Sequence, residues 1–220
     1  MTDAYEDLIR SLPEGKARDL ITSLPENEVR QAIKFGESMQ LMVGILWRDV
    51  VSARDFLVEK HSDQFRRRVF IRAVFAFIEG SLNAISKVIL RQHEILDYQL
   101  TKKDFEVLTE MSQEKDEKRP KYLKLDEKIR KVFTILATKA GKIPSYKLKE
   151  SNDDIVCFKA AIALRHRLTH PKILGDLEVK DSDLTNIEEA ITWYSERFFE
   201  LDKPVSETMN KETNKLYGLD

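Results

Sequence analysis

The sequence predicts an all-α fold: a helical bundle of four to five principal helices with additional N-terminal helices. Three observations carry this expectation. In 220 residues there are only 7 Gly and 6 Pro, while Leu, Ile, Ala, Glu and Lys abound, which favours long helices and short connections over a β-sandwich or barrel. Apolar side chains recur at three- and four-residue steps over long stretches, the period of a helix with one buried face. No segment reads convincingly as a strand. At 42% apolar and 34% charged residues, the composition is that of a soluble globular protein with a substantial core.

The elements follow in chain order. Ser11-Leu12-Pro13-Glu14 and Ser23-Leu24-Pro25-Glu26 each join a capping Ser to a Pro and a Glu three residues on, the signature of a helix start. From Glu28 to about Glu59, Val29, Ile33, Met39, Val43, Leu46, Val50, Ala53 and Leu57 keep the helical step, predicting one long helix with Gly36 and Gly44 as candidate bends. These N-terminal helices occupy 1–61 and are expected to pack on, or extend, a main bundle over 62–203. Residues 204–220 are expected to form a C-terminal tail.

A second long helix is predicted from Ser62 or Asp63 to about His93. Its centre, Val69 to Leu90, is apolar almost all the way round, so it should be the central and most buried helix. Arg68, Arg72, Glu79, Asn83 and Ser86 fall within one narrow sector of its helical wheel. A buried helix with one polar stripe needs something polar opposite it. Thr101 to about Met111 reads as a short capped helix, and Gln113 to Lys121 as a mobile charged loop. Leu123 to Ala140 predicts an amphipathic helix stopped by Gly141 and Pro144. The next helix, capped by Asn152 or Asp153, carries Ile155, Phe158, Ala161, Ile162 and Leu168. It ends at His170, because the residue before a proline, here Pro171, disfavours the α conformation. After a loop over 172–180, Ser182 or Asp183 caps a final helix that runs to about Asp202. Beyond Pro204 the chain reads as a frayed or helical tail.

Several function classes are excluded. The single Cys157 rules out an internal disulfide and a Cys-based zinc cluster, and a reducing cytoplasm is the simplest location. Cys157 shares a helix face with Ala161 and Leu164, a core position rather than a nucleophile's setting. Residues 1–7 are acidic and lack a signal pattern, and apolar runs such as Leu41 to Trp47 are too short to cross a bilayer, so neither secretion nor membrane insertion is expected. There is no Gly-rich phosphate loop and no Ser nucleophile elbow. Trp47, Trp193 and Phe198 sit at helical spacing among aliphatics and read as packing residues.

The net charge of −1 conceals a polarised chain. Residues 115–149 hold 12 Lys or Arg against 4 Asp or Glu, and residues 176–220 hold 5 against 12. The basic segment reads either as a surface for nucleic acid or as ordinarily solvated helices.

The chemistry concentrates in Leu164-Arg165-His166-Arg167-Leu168-Thr169-His170-Pro171. A guanidinium and an imidazole suffice for RNA cleavage without a metal: one offsets charge developing on phosphate, the other moves a proton to or from a ribose 2′-hydroxyl. An Arg five residues before a His is common, so context carries the weight. Here the pair lies at a helix end, His166 directly follows Arg165, a proline follows His170, and an earlier buried helix carries Glu79 within Phe75-Ala76-Phe77-Ile78-Glu79-Gly80-Ser81-Leu82-Asn83.

With these residues the chain resembles the HEPN superfamily, whose nuclease members carry Arg-x(4–6)-His, commonly with Asn, Asp or His just after the Arg. Arg165-His166-x-x-x-His170 matches that pattern. The resemblance covers the bundle from the Ser62 helix to the final helix. It implies a metal-independent endoribonuclease that dimerises so that two motifs face one cleft, often within a toxin–antitoxin or anti-phage system, with RNA as substrate and a protein antitoxin or regulator as a possible partner. Some members carry an acidic residue on an earlier helix near the Arg, a place Glu79 would take. Other members bind nucleic acid or protein without cutting.

On this reading His170 is the general acid or base and Arg165 stabilises the phosphorane-like transition state. His166 orients the phosphate, Glu79 holds Arg165, and Asn83 supports the site from the same stripe. Five helical residues separate Arg165 and His170 by about 140° and 7.5 Å, so two copies across a dimer axis would supply the separate acid and base. Arg68, Arg72, Arg167 and Lys172, with Arg66 and Arg67, are candidates to track an RNA backbone. The alternatives are a structural Arg165–Glu79 bridge and a His170 that only caps its helix. His166 and His170 have zinc-compatible spacing, yet nothing at recognisable spacing completes a metal site, so no metal or cofactor is expected.

Overall fold

The computed structural model describes residue 10 and residues 26–95, 99–111 and 123–217. The helix start at Ser11, the Ser23 cap and the charged loop 113–121 lie outside them. Among residues 26–95, 99–111 and 123–217, six α-helices follow in order: α1 (Glu26–Glu59), α2 (Gln64–Ile95), α3 (Lys102–Thr109), α4 (Leu125–Ile135), α5 (Asn152–Thr169) and α6 (Asp181–Tyr217). No sheet forms among the described residues.

Asp63 starts α2 as expected: its Oδ1 accepts the N–H groups of Phe65 at 2.8 Å and Arg66 at 3.2 Å, satisfying donors that have no partner inside the helix. Those two bonds, Arg66 first, hold the Asp63 carboxyl below its ordinary value. Four residues separate α1 from α2, so the two run antiparallel as a hairpin. Gly80 lacks a Cβ where Leu46 of α1 lies closest, which lets the two helices approach. Val50, Ala53 and Leu57 of α1 are buried with the bundle core.

α2 is the central helix and packs against all five others. Phe70, Ile71, Val74, Phe77, Ile78, Leu82 and Ile89 are almost wholly buried on it. Burying such side chains is worth roughly 1.5–3 kcal/mol each, so this helix dominates the apolar driving force. The segment Gln64–Arg91 is long and apolar enough to cross a membrane by length and composition, but half of its most apolar window is buried inside the bundle, as the core helix of a globular protein would be. A polar contact between helices sits within this core: Ser81 and Tyr194 hydroxyls meet at 2.7 Å, and Ser81 also donates to the Phe77 carbonyl.

Three boundaries differ from expectation. The predicted helix over Leu123–Ala140 is regular only from Leu125 to Ile135, and Leu136–Ala140 form a wide π turn. The Gly141 N–H reaches the Leu136 carbonyl at 2.9 Å and Ile143 N–H the Ala137 carbonyl at 2.9 Å. Any Cβ at position 141 would lie 2.9 Å from the Ala137 oxygen and 3.0 Å from Val205 Cγ2, so glycine is what lets this turn meet α6. Second, α5 is capped by Ser151 rather than Asn152 or Asp153, in a capping box with Asp154. Third, α6 begins at Asp181, one residue before the expected caps. Asp183 acts from within its first turn by accepting the Lys180 N–H at 2.9 Å. The helix then continues past Asp202 and through Pro204 to Tyr217. Proline removes one helical donor there, but Leu201 and Val205 are buried, and that packing offsets the lost bond.

Candidate functional site

The motif occupies the last turn and a half of α5. Thr169 Oγ1 donates to the Arg165 carbonyl at 2.8 Å, and the His170 N–H closes the helix on the His166 carbonyl at 3.0 Å. His170 then leaves the helical conformation (φ −127°, ψ 60°), as the following Pro171 requires. The imidazoles of His166 and His170, one turn apart, have ring centroids separated by 6.4 Å, and both residues are exposed.

Opposite them, α2 presents Glu79. Arg165 Nη2 lies 2.6 Å from Glu79 Oε1, with 34% and 41% of the two side chains still open to solvent. The guanidinium also stands 5.7 Å from the centre of the Phe75 ring, so an aromatic face and a carboxylate hold it from two directions. Two open depressions share this ion pair as a common wall. The larger, about 1240 Å³, is bounded by α2, the start of α4 and α5, and includes Asn83, Lys159 and His166. The smaller, about 400 Å³, includes Ile71, Arg72 and Thr169. His170 lines neither, although the preceding Thr169 lines the smaller one.

The remaining expected site residues separate into two groups. Asn83 and Arg72 are exposed, one in each depression, on the stripe that runs through Glu79. Ser86, assigned to that stripe, does not belong to it: it is buried and donates to the Leu82 carbonyl of its own helix at 2.9 Å. Of the other cations, Arg167, Arg68 and Arg67 hold the loop after the motif. Arg167 donates to the carbonyls of Gly175, Asp176 and Glu178 and pairs with Asp183 at 3.0 Å. Arg68 donates to the Leu177 carbonyl at 3.0 Å. Arg67, buried, bonds to the carbonyls of His61 and Val179 and to Asp181. Arg66 turns back to α1, onto Glu59 and the Phe56 ring. Lys172 is exposed, and its N–H and that of Ile173 go to the Asp176 carboxylate, which they hold below the usual aspartate range.

Lys124, Lys128, Lys159 and Ile162 also line the larger depression, and none of them was expected there from the sequence, where Ile162 reads only as an apolar residue of its helix. The signal was present on α5, where Lys159, Ile162 and His166 follow one another at three- and four-residue steps on one face. The basic segment is less free than its count suggests. Lys128 pairs with Glu110, Arg130 with Glu150 and Asp126, Lys131 with Glu127, and Lys149 with Glu200. Among the described residues no three His, Cys, Asp or Glu side chains are grouped to hold a metal ion. Cys157 is partly buried, and desolvation pushes its thiol pKa up, the opposite of an activated nucleophile.

Compared with known proteins, the chain matches no family model, no curated protein and no solved structure.

Proposed function

We propose that this protein is a cytoplasmic, homodimeric endoribonuclease of the HEPN type, which cleaves RNA without a metal through Arg165 and His170. The observation that carries the reading is the position of Arg165. It is oriented by Glu79, remains open to solvent, and stands on the wall between two depressions with His166 and His170 on the adjoining turn. A phosphate at that wall would meet a preoriented guanidinium, whose charge-assisted bonds strengthen as negative charge develops. One imidazole takes the proton from the 2′-hydroxyl as its oxygen attacks phosphorus, and another returns a proton to the departing 5′-oxygen. The products are a 2′,3′-cyclic phosphate and a 5′-hydroxyl, so DNA is not cut. A toxin–antitoxin or anti-phage setting, with a protein regulator, accords with such an activity.

The test is incubation of purified protein with labelled single-stranded RNA in EDTA, beside His170→Ala and Arg165→Ala variants. Cyclic phosphate ends that vanish in both variants support the reading. Intact RNA with a folded protein overturns it.

One observation favours a second reading, a non-catalytic module that binds nucleic acid or a protein. His170 lines neither depression, and Arg165 already has a carboxylate partner. Wild-type binding to RNA with no cleavage in the same assay selects it.

A further inference from the structure

The larger depression has a division of chemistry that the ribonuclease reading does not use. Its three acidic groups are already engaged: Glu79 by Arg165, Glu110 by Lys128 at 3.1 Å, and Asp126 by Arg130 at 3.4 Å. Lys124 and Lys159 line the same walls, are exposed, and belong to no ion pair among the described residues. Among the described residues the depression therefore carries two cations without an acidic partner, besides the paired Arg165 and Lys128. The partly buried aliphatics Leu123, Leu125 and Ile162 line the same depression, and the exposed amide of Asn83 stands one helical turn from Glu79. Cations free to pair, apolar side chains and one donor–acceptor amide on the same walls together match a nucleotide: phosphates for the lysines, a base face for the aliphatics, a base edge for the amide.

We infer that this depression is a nucleotide subsite beside the scissile phosphate, in which Lys124 and Lys159 hold the flanking RNA backbone and Asn83 reads the base, with adenine preferred. The preference follows from the amide, whose N–H and C=O together match adenine N6–H and N7, the pairing Asn makes most readily. At about 1240 Å³ the space admits a purine with its sugar. The inference rests on the RNA reading and extends it to specificity. It makes Asn83 a specificity-determining residue, and gives Lys124 and Lys159 a role that no loop contact fills.

The test measures binding, so it does not depend on turnover. Fluorescent 2′-O-methyl decamers of A, C and U cannot be cleaved by 2′-oxygen attack, and their affinity for the full-length protein is read by anisotropy. Wild type is expected to bind the A decamer about fivefold or more tightly than the U decamer. Asn83→Ala should bring that ratio close to one, chiefly by weakening the A decamer. Lys124→Glu/Lys159→Glu should weaken all three decamers by about tenfold or more. A control of equal charge change, Lys34→Glu/Lys60→Glu on exposed positions of α1 and the following turn, should weaken them far less. Circular dichroism confirms that each variant is folded. An A-over-U ratio that survives Asn83→Ala overturns the base-reading role, and equal losses in the two lysine pairs overturn the subsite. If wild type cuts RNA in EDTA while the depression variants bind normally, this inference alone fails. If wild type neither binds nor cuts, the RNA reading fails with it.

Discussion

The Arg165 guanidinium lies 2.6 Å from the Glu79 carboxylate, joining the last turns of α5 to the middle of the most buried helix while both side chains keep access to solvent. Such a half-exposed pair contributes at most about 1 kcal/mol to stability, so its main consequence is orientation. Arg165→Ala is therefore expected to lower single-turnover RNA cleavage by about 100-fold to 1000-fold, the cost of losing a charge-stabilising donor. Glu79→Gln keeps the shape and loosens the hold, and should cost up to about 100-fold through misplacement. Both should melt within a few degrees of wild type. A large loss of thermal stability in either would assign the pair to scaffolding instead.

Ser81 and Tyr194 offer a purer stability test, because neither lines the two depressions and both are fully buried. Ser81→Ala leaves the Tyr194 hydroxyl with only the Ile78 carbonyl at 3.4 Å, so a buried donor becomes nearly unsatisfied, at a cost of about 1–3 kcal/mol. In Tyr194→Phe, Ser81 keeps its 2.6 Å bond to the Phe77 carbonyl, and the loss should be smaller, about 1 kcal/mol. Urea unfolding of the two variants would show this order, and the reverse order would contradict the assigned partners.

Arg167 stood among the RNA-contact candidates, yet its guanidinium is taken up by three loop carbonyls and Asp183. Arg167→Met should free the loop over 172–180 and destabilise the fold by about 1–3 kcal/mol. Amide exchange at Glu178 and Val179 should rise, while affinity for RNA decamers stays unchanged. Unaltered exchange with weakened RNA binding would return Arg167 to the nucleic-acid surface.

The pH dependence should have two limbs with different causes. Asp176 accepts the Lys172 and Ile173 N–H groups, and Asp63 those of Arg66 and Phe65, so both folded-state pKa values lie below the ordinary 3.8. Their contribution is fully present above that value and is lost as pH falls through the depressed folded values. Asp176→Asn should flatten stability between about pH 4 and pH 2. On the alkaline side, burial raises Tyr146 to about 12 and Tyr194 further still. A raised phenol contributes stability that is fully present below the unfolded value of 10.0 and lost as pH rises through the folded one. In an alkaline titration followed by phenolate absorbance, the half-buried Tyr146 should ionise late, near 12, the fully buried Tyr194 only with unfolding, and Tyr194→Phe should shrink that last step.

The helical pattern was legible in the sequence wherever one residue's surroundings are set by near neighbours. The period of α2, the Asp63 cap and the end of α5 before Pro171 depend on contacts within a few residues. The boundaries that differed depend on distant ones. Gly141 stops α4 only after a widened turn because Val205, far along the chain, packs against it. Pro204 fails to end α6 because Leu201 and Val205 are buried against the rest of the bundle.

The same division runs through the candidate site. By itself the sequence determined an all-α chain, a central apolar helix with a polar stripe, and an Arg-x4-His motif at a helix end, because helical period, capping and proline sterics are local. Only the tertiary structure decided which of the many cations face open space. Arg66, Arg67, Arg68 and Arg167 read alike with Arg72 and Lys172 in the sequence, yet the first four are bound to carbonyls and carboxylates while the side chains of the last two remain exposed. A guanidinium near unpaired carbonyls is drawn to them because buried acceptors must be satisfied, and which carbonyls lie within reach is fixed by how the helices pack.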